Sequence, residues 1–203
     1  VSSSKFCVIH NAVDREKYKY SVQKREEIRG SMGITDQFVI GHVGNFCYQK
    51  NHYFLLDVFE EVHKKDPNTV LLLAGDGVRF EKVRQIVAEK NLEDVVKLLG
   101  RRSDTDYLYQ GMDAFLLPSN FEGLPIAGIE AQSAGLPCFM SDEITKESKI
   151  TEACYFIPLK SGAKYWAEEI LDNRMERQSA EFLDNAEQYD LANQDQELKS
   201  LIR

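Results

Sequence analysis

Two glutamates carry the most chemical promise in this chain. Glu122 and Glu130 lie in residues 115–140, FLLPSNFEGLPIAGIEAQSAGLPCFM. Glu130 is the only charged residue between Glu122 and Asp142. A carboxylate in so apolar a stretch is costly unless it has a partner. Sugar hydroxyls are suitable partners, as where an acid holds the ribose in dinucleotide folds. Pro125, a residue favoured in first turns, opens a helix of small residues between the two acids. The free N–H groups and positive dipole end of that helix point at the turn holding Glu122, an arrangement that suits phosphate. Mid-helix Gly128 costs about 1 kcal/mol relative to Ala, which implies close packing there.

These residues need a scaffold, and the hydrophobic pattern supplies one. Short apolar runs at 38–43, 70–74, 95–98, 114–117, 138–140 and 155–157 read as strands. Amphipathic segments at 53–64, 80–90, 105–110, 125–134 and 164–172 read as helices between them. This alternation predicts an α/β domain with a mainly parallel sheet and right-handed crossovers. In 53–64 the apolar Phe54, Leu55, Val58, Phe59 and Val62 share a helical face, and Asn51 is placed to cap it. Residues 161–203 read as polar and mostly helical.

Composition narrows the partners. The 203 residues are 43% hydrophobic and 29% charged, enough for a globular core, with a formal net charge of −8. That balance argues against nucleic acid or anionic lipid as the main partner. An anionic substrate must be held by a few local groups. Cys7, Cys47, Cys138 and Cys154 form no Cys-x-x-Cys pair and read as reduced, in a cytosolic protein. The four histidines lack metal-site spacing. No run approaches the ~20 apolar residues that span a bilayer. Val1 as the first residue suggests a fragment.

Several short motifs then fall in one order. Glu122 and Glu130 are separated by seven residues, and Gly123-Leu124-Pro125 follows the first. This resembles the Glu-x7-Glu signature of retaining glycosyltransferases of the GT-B fold, above all glycosyltransferase family 4. Asn11-Ala12-Val13-Asp14 resembles that family's interdomain element, and Gly41-His-Val-Gly44 with Gln49-Lys50-Asn51 its phosphate-binding loop. Leu73-Ala-Gly-Asp-Gly77, Leu99-Gly100-Arg101 and Leu117-Pro118-Ser119 are similar to its later strand ends. The resemblance runs from residue 9 to residue 203. It implies a Rossmann-like three-layer α/β/α domain, the donor-binding half of a two-domain enzyme. The implied division is an interdomain linker end at 1–15, a nucleotide-sugar-binding domain at 16–160, and C-terminal helices at 161–203 that pack on it and reach towards an absent N-terminal acceptor domain.

The resemblance also implies roles. Glu130 would clamp the donor ribose, where the plain alternative is a surface acid on an exposed helix face. Glu122 would place the transferred sugar, where the plain alternative is a first-turn acid that complements the helix dipole. Gly123 and Leu124 would offer backbone N–H groups, and Lys50 would neutralise the departing diphosphate rather than stand as a solvated lysine. Gly44 belongs to the phosphate loop. Arg101 follows a strand whose backbone would meet the nucleobase. Asn45 departs from the pattern, since the family has arginine there. Losing an ionic hydrogen bond costs ~1.5–3 kcal/mol. Gly75-Asp76-Gly77 could sit near the donor but fails as a GxGxxG fingerprint because Phe80 occupies the third glycine position.

The expected activity is retaining transfer of a sugar from a nucleotide diphosphate sugar, in polysaccharide or glycolipid biosynthesis, with no metal or other cofactor. The expected location is cytoplasmic, peripheral at a membrane through the absent domain. The alternatives are a nucleotide-binding module without turnover, which Asn45 favours, and a nucleotide-sugar epimerase of the same architecture.

Overall fold

The computed structural model describes residues 11–177 and 179–194. Six strands, β1 (Phe38–Val43), β2 (Thr69–Ala74), β3 (Val96–Gly100), β4 (Ala114–Leu117), β5 (Cys138–Ser141) and β6 (Cys154–Ile157), make one sheet in the order β3-β2-β1-β4-β5-β6. Every pairing is parallel. The register runs from Phe38 opposite Thr69 to Val43 opposite Ala74 across β1 and β2, and β4 joins β1 through Ile40 and Gly41. The inner strands are continuous apolar runs because helices cover both faces.

The helices are α1 (Arg15–Tyr18), α2 (Val22–Ser31), α3 (His52–Lys65), α4 (Phe80–Glu89), α5 (Thr105–Gly111), α6 (Ile126–Ser133) and α7 (Gly162–Asp172). On one face Leu55, Val58, Phe59 and Val62 of α3, Val83 and Val87 of α4 and Trp166 and Ile170 of α7 cover Ile40, Leu71, Leu73 and Leu116. On the other, Tyr18, Ile28, Leu108, Tyr109, Ile129 and Ala131 of α1, α2, α5 and α6 cover Val39, Leu72, Phe115, Leu117 and Met140. Alternate strand residues thus enter opposite core layers, and the result is a three-layer α/β/α domain.

Each expected strand and interstrand helix is present, with ends shifted by one or two residues. Gly128 packs as its cost implied: a Cβ there would meet Met140 Sδ at 3.1 Å and Pro125 Cγ at 3.4 Å. Cys138 and Cys154 are free thiols buried side by side in β5 and β6. Cys7 lies outside the described residues.

Two expectations need correction. Asn51 stands at the start of α3 but in left-handed conformation, φ 55°, and its side chain makes no capping bond. Pro125 is the N-cap residue of α6 and not part of its first turn. Residues 161–203, as far as they are described, are mostly helical as expected: α7, a 3-10 turn at Asp184–Tyr189 and a helical turn over 191–194, with an irregular stretch at 173–183. In that stretch, side-chain anchors replace helical hydrogen bonding. Buried Arg177 donates to the carbonyls of Tyr109 (3.0 Å), Met112 and Ala134 (2.7 Å). The α2 helix was not foreseen. It buries little beyond Ile28 and Arg29, so its amphipathic signal is weak, although the Ser21 hydroxyl caps it by accepting from Lys24 N at 3.3 Å.

Candidate functional site

In open parallel sheets ligands bind outside the carboxyl ends of the strands, where the strand order reverses. Here that switch lies between β1 and β4. The loops leaving those strands carry residues 44–51 and 118–125, and they are tied together. Asn120 N donates to Gln49 O at 2.8 Å, and Asn120 Nδ2 to Tyr48 O at 2.7 Å.

Across the same gap Lys50 Nζ lies 2.5 Å from Glu122 Oε1. Only 14% of the lysine side chain and 8% of the glutamate side chain remain exposed. The Ser119 hydroxyl donates to Glu122 Oε1 at 2.9 Å, and Gln49 Nε2 to Oε2 at 2.9 Å. Two residues that the sequence reading weighed separately therefore form one buried ion pair. Lys50 is not a free solvated lysine, and Glu122 meets its need for a partner within the protein. Gln49 and Ser119 were not assigned roles. Their signals were membership of the Gln49-Lys50-Asn51 and Leu117-Pro118-Ser119 motifs, adjacency to Lys50 and three-residue spacing from Glu122.

Beside the pair lies a cleft of about 680 Å³, lined by Gly44, Asn45, Gly75, Asp76, Gly77 and Arg101 among others. It exists because two loops nest. Gly75 has φ +147°, and a Cβ there would stand 1.9 Å from Gly44 O. Phe46 N donates to Asp76 O at 2.9 Å. Asn45 and Arg101 are exposed on the wall, whereas Arg102 is bound to Asp104 at 2.6 Å. Lys50 packs against Gly44, one of the lining residues: a Cβ there would meet its Cε at 3.1 Å. A second cavity of about 280 Å³, with Leu136, Ala153 and Met175 in its wall, opens near the amino ends of β5 and β6, away from the switch.

No side chain caps the amino end of α6, next to Gly123 and Leu124, so its first N–H groups stay open to a ligand. Further along α6, Glu130 Oε1 accepts from Tyr18 Oη at 2.7 Å and Oε2 from Tyr109 Oη at 2.9 Å. Burial, then the bond to Glu130, raises the pKa of the Tyr18 phenol; burial and the Glu130 charge raise that of Tyr109. Both phenols stay protonated donors. Glu130 is thus half-buried and aimed by two tyrosines, rather than a loose surface acid. Tyr18 escaped the sequence reading because α1 is four residues long and lies 112 positions away.

Beneath the β1 loop sit two buried histidines, also unassigned from sequence. His42 Nδ1 donates to Leu116 O at 2.8 Å, which leaves Nε2 without a partner, and neither ring nitrogen of His52 has one. Their rings meet edge-on with centroids 4.8 Å apart, and Phe46 stacks on His52 at 4.1 Å. Burial lowers both pKa values, that of His52 to about 4, with Lys50 adding to the effect on each. Among the described residues no group of three or more acidic, histidine or cysteine side chains could hold a metal ion, and no helix is long and apolar enough to cross a membrane.

Known proteins resemble this chain in sequence and in fold. The chain is 36% identical over 141 residues to EpsF of Bacillus subtilis, a protein named as a glycosyltransferase, covering 69% of this chain and 37% of the relative. It is 33% identical over 146 residues to an Escherichia coli UDP-Gal:α-D-GlcNAc-diphosphoundecaprenol α-1,3-galactosyltransferase, covering 70% and 38%. The chain thus spans well under half the length of these curated relatives. The fold matches Anabaena HepE, solved with UDP and glucose, at a TM-score of 0.81 and 22% identity over 97% of this chain and 56% of that one. It also matches the isolated C-terminal domain of LpcC, a glycosyl transferase group 1 family protein of Francisella tularensis, at a TM-score of 0.64 and 18% identity over 79% and 86%. The family described as glycosyl transferases group 1 matches residues 24–189, and the chain belongs to it.

Proposed function

We propose that this chain is the donor-binding part of a GT-B glycosyltransferase that moves a sugar, with retention, from a nucleotide diphosphate sugar to an acceptor. The observation that carries the reading is the Lys50–Glu122 pair at the switch point, beside the uncapped amino end of α6. It sets a cation and an open helix terminus, both suited to a diphosphate, next to an acid suited to sugar hydroxyls. The nucleoside lies in the Gly44–Asn45–Arg101 cleft. Glu130, aimed by its tyrosines, keeps acceptor positions for the ribose hydroxyls.

In this reading Lys50 and the α6 terminus stabilise the charge that grows on the leaving diphosphate, in place of a metal. Gly123 and Leu124 present backbone N–H groups to sugar or phosphate. The leaving phosphate helps to deprotonate the acceptor as it attacks from the same face. Glu122 and Glu130 position the donor and are not a glycosidase-type acid/base pair. An N-terminal domain that carries the acceptor completes the cleft, and biosynthesis of a surface polysaccharide or glycolipid is the setting. Relatives named for UDP-Gal and for GDP-mannose both occur, so the reading commits to a nucleotide diphosphate and not to a base.

Titration calorimetry with UDP, GDP and their sugars at millimolar levels tests the reading. Binding of at least one is expected, and no heat from any removes the donor site. Glu130→Ala is expected to weaken nucleotide binding more than Glu122→Ala, and the reverse ranking reverses the assigned roles. Exposed, uncharged Asn45 supports a second reading, a nucleotide-binding module without turnover. Product assays on the full-length protein separate the two.

A further inference from the structure

Glu122 is well satisfied. Lys50 and Ser119 serve Oε1 and Gln49 serves Oε2, so three of its roughly four acceptor positions are filled. Both members of the ion pair are largely withdrawn from water. Removing one partner of such a pair is far more costly than replacing both together, because it strands a charge. A ligand that draws Lys50 away must therefore compensate Glu122.

The two loops cannot part to avoid this exchange, because both Asn120 bonds hold them together. What can move is the Lys50 side chain. Its stem lies against Gly44, which itself lines the cleft, so a rotamer change is enough to turn the ammonium from Glu122 towards a ligand there.

Two candidate ligands differ in what they offer. A free nucleoside diphosphate gives Lys50 anionic oxygens but gives Glu122 nothing, and its charge repels the stranded carboxylate. A nucleotide diphosphate sugar gives Lys50 the same oxygens and gives Glu122 hydroxyl donors.

We propose that the Lys50–Glu122 ion pair is an internal competitor that discriminates the intact nucleotide sugar from the spent nucleoside diphosphate. This rests on the donor-site reading above. The pair opens only when both halves of the donor arrive together. Once the sugar has left for the acceptor, Glu122 loses its hydroxyl donors, Lys50 returns to it, and the nucleotide is expelled. Glu122 thereby sets specificity through Lys50 as well as touching sugar.

The test is calorimetry on the full chain with four probes: UDP, GDP, UDP-galactose and GDP-mannose. In Glu122→Gln the amide keeps its size but no longer holds the ammonium. The variant is expected to bind the preferred nucleoside diphosphate about tenfold more tightly than the wild type, and the advantage of the sugar-bearing form is expected to shrink by a similar factor. In the double variant Lys50→Met/Glu122→Gln the gain is expected to vanish, since it acts through the freed lysine. Unchanged or weaker diphosphate binding by Glu122→Gln, with binding otherwise intact, overturns the competitor and leaves the donor site standing. A gain that survives in the double variant also overturns it. Failure of all four probes to bind the wild type and Glu122→Gln removes the donor site and the competitor together. If Glu122→Gln does not fold, Glu122→Asp serves, because it withdraws the carboxylate from Lys50 by one methylene; a gain of about threefold is then expected, and its absence counts the same way.

Discussion

Acid should destabilise this protein before its carboxylates begin to titrate, because of His42 and His52. Both are essentially inaccessible, at 0% and 1% exposure. His42 faces His52, Lys50 and the Leu116 carbonyl; His52 faces Lys50 and Arg79. Among the described residues no carboxylate acts on either ring to favour a proton there. In the unfolded chain each histidine titrates near pH 6.5. In the native state both remain neutral well below that, His52 down to about pH 4. The unfolded state therefore binds more protons, and stability falls as pH drops below 6.5. At pH 5.0 the His52 ring has cost about 2 kcal/mol, a large share of a typical domain's stability, and His42 adds a loss of the same sign. For His52 the loss ends once the native state also protonates, near pH 4. Glu60, Asp66 and Asp104, whose pKa values are lowered by Lys90, Arg174 and Arg102, add their losses only below their ordinary values, so the window from pH 7.5 to 5.0 belongs to the histidines. Urea unfolding followed by the fluorescence of Trp166, the single tryptophan and fully buried, measures the effect. His52→Phe keeps a flat ring against Phe46 and removes two partnerless nitrogens, so it should remove about 2 kcal/mol of the loss between pH 7.5 and 5.0 and stabilise the fold at pH 5.0. A wild-type stability that is flat across this window, or an undiminished slope in His52→Phe, refutes the reasoning.

The nesting of the β1 and β2 loops predicts that Gly75→Ala costs more than about 2 kcal/mol, since its Cβ would press on Gly44 O; Gly30→Ala, whose Cβ meets nothing within 4 Å in α2, should stabilise by about 0.5–1 kcal/mol, and urea midpoints compare the two. Arg177→Met leaves buried carbonyls of Tyr109, Met112 and Ala134 without donors and should cost about 3 kcal/mol, read as a drop in Tm. Tyr18→Phe removes the 2.7 Å bond to Glu130, so it should cost about 1–2 kcal/mol in stability and also weaken nucleotide binding in calorimetry; an unchanged affinity would separate Tyr18 from the site.

The strands and the helices α3 to α7 were legible because their signals are local. Runs such as 114–117 and the periodicity of 53–64 are written in consecutive residues. The acids were legible because an isolated carboxylate in an apolar stretch stands out. The partners of those acids were not, because they come from elsewhere in the chain. Tyr18 reaches Glu130 across 112 positions and Lys50 reaches Glu122 across 72. Nor does any local pattern mark His42 and His52 as partnerless, since that depends on what packs around them. The irregular stretch at 173–183 was not legible, because Arg177 anchors it to carbonyls that come from other elements.

The ties that Asn120 makes to Tyr48 and Gln49 have a consequence for how this family can diversify. They settle the course of the backbone during folding, before any guest arrives, so little ordering entropy remains to be lost on association. The side chains of Asn45 and Arg101, by contrast, face solvent. Exchanging those two side chains could retune preference for one guest over another without disturbing the frame, a division of labour that lets new specificities arise at small thermodynamic risk.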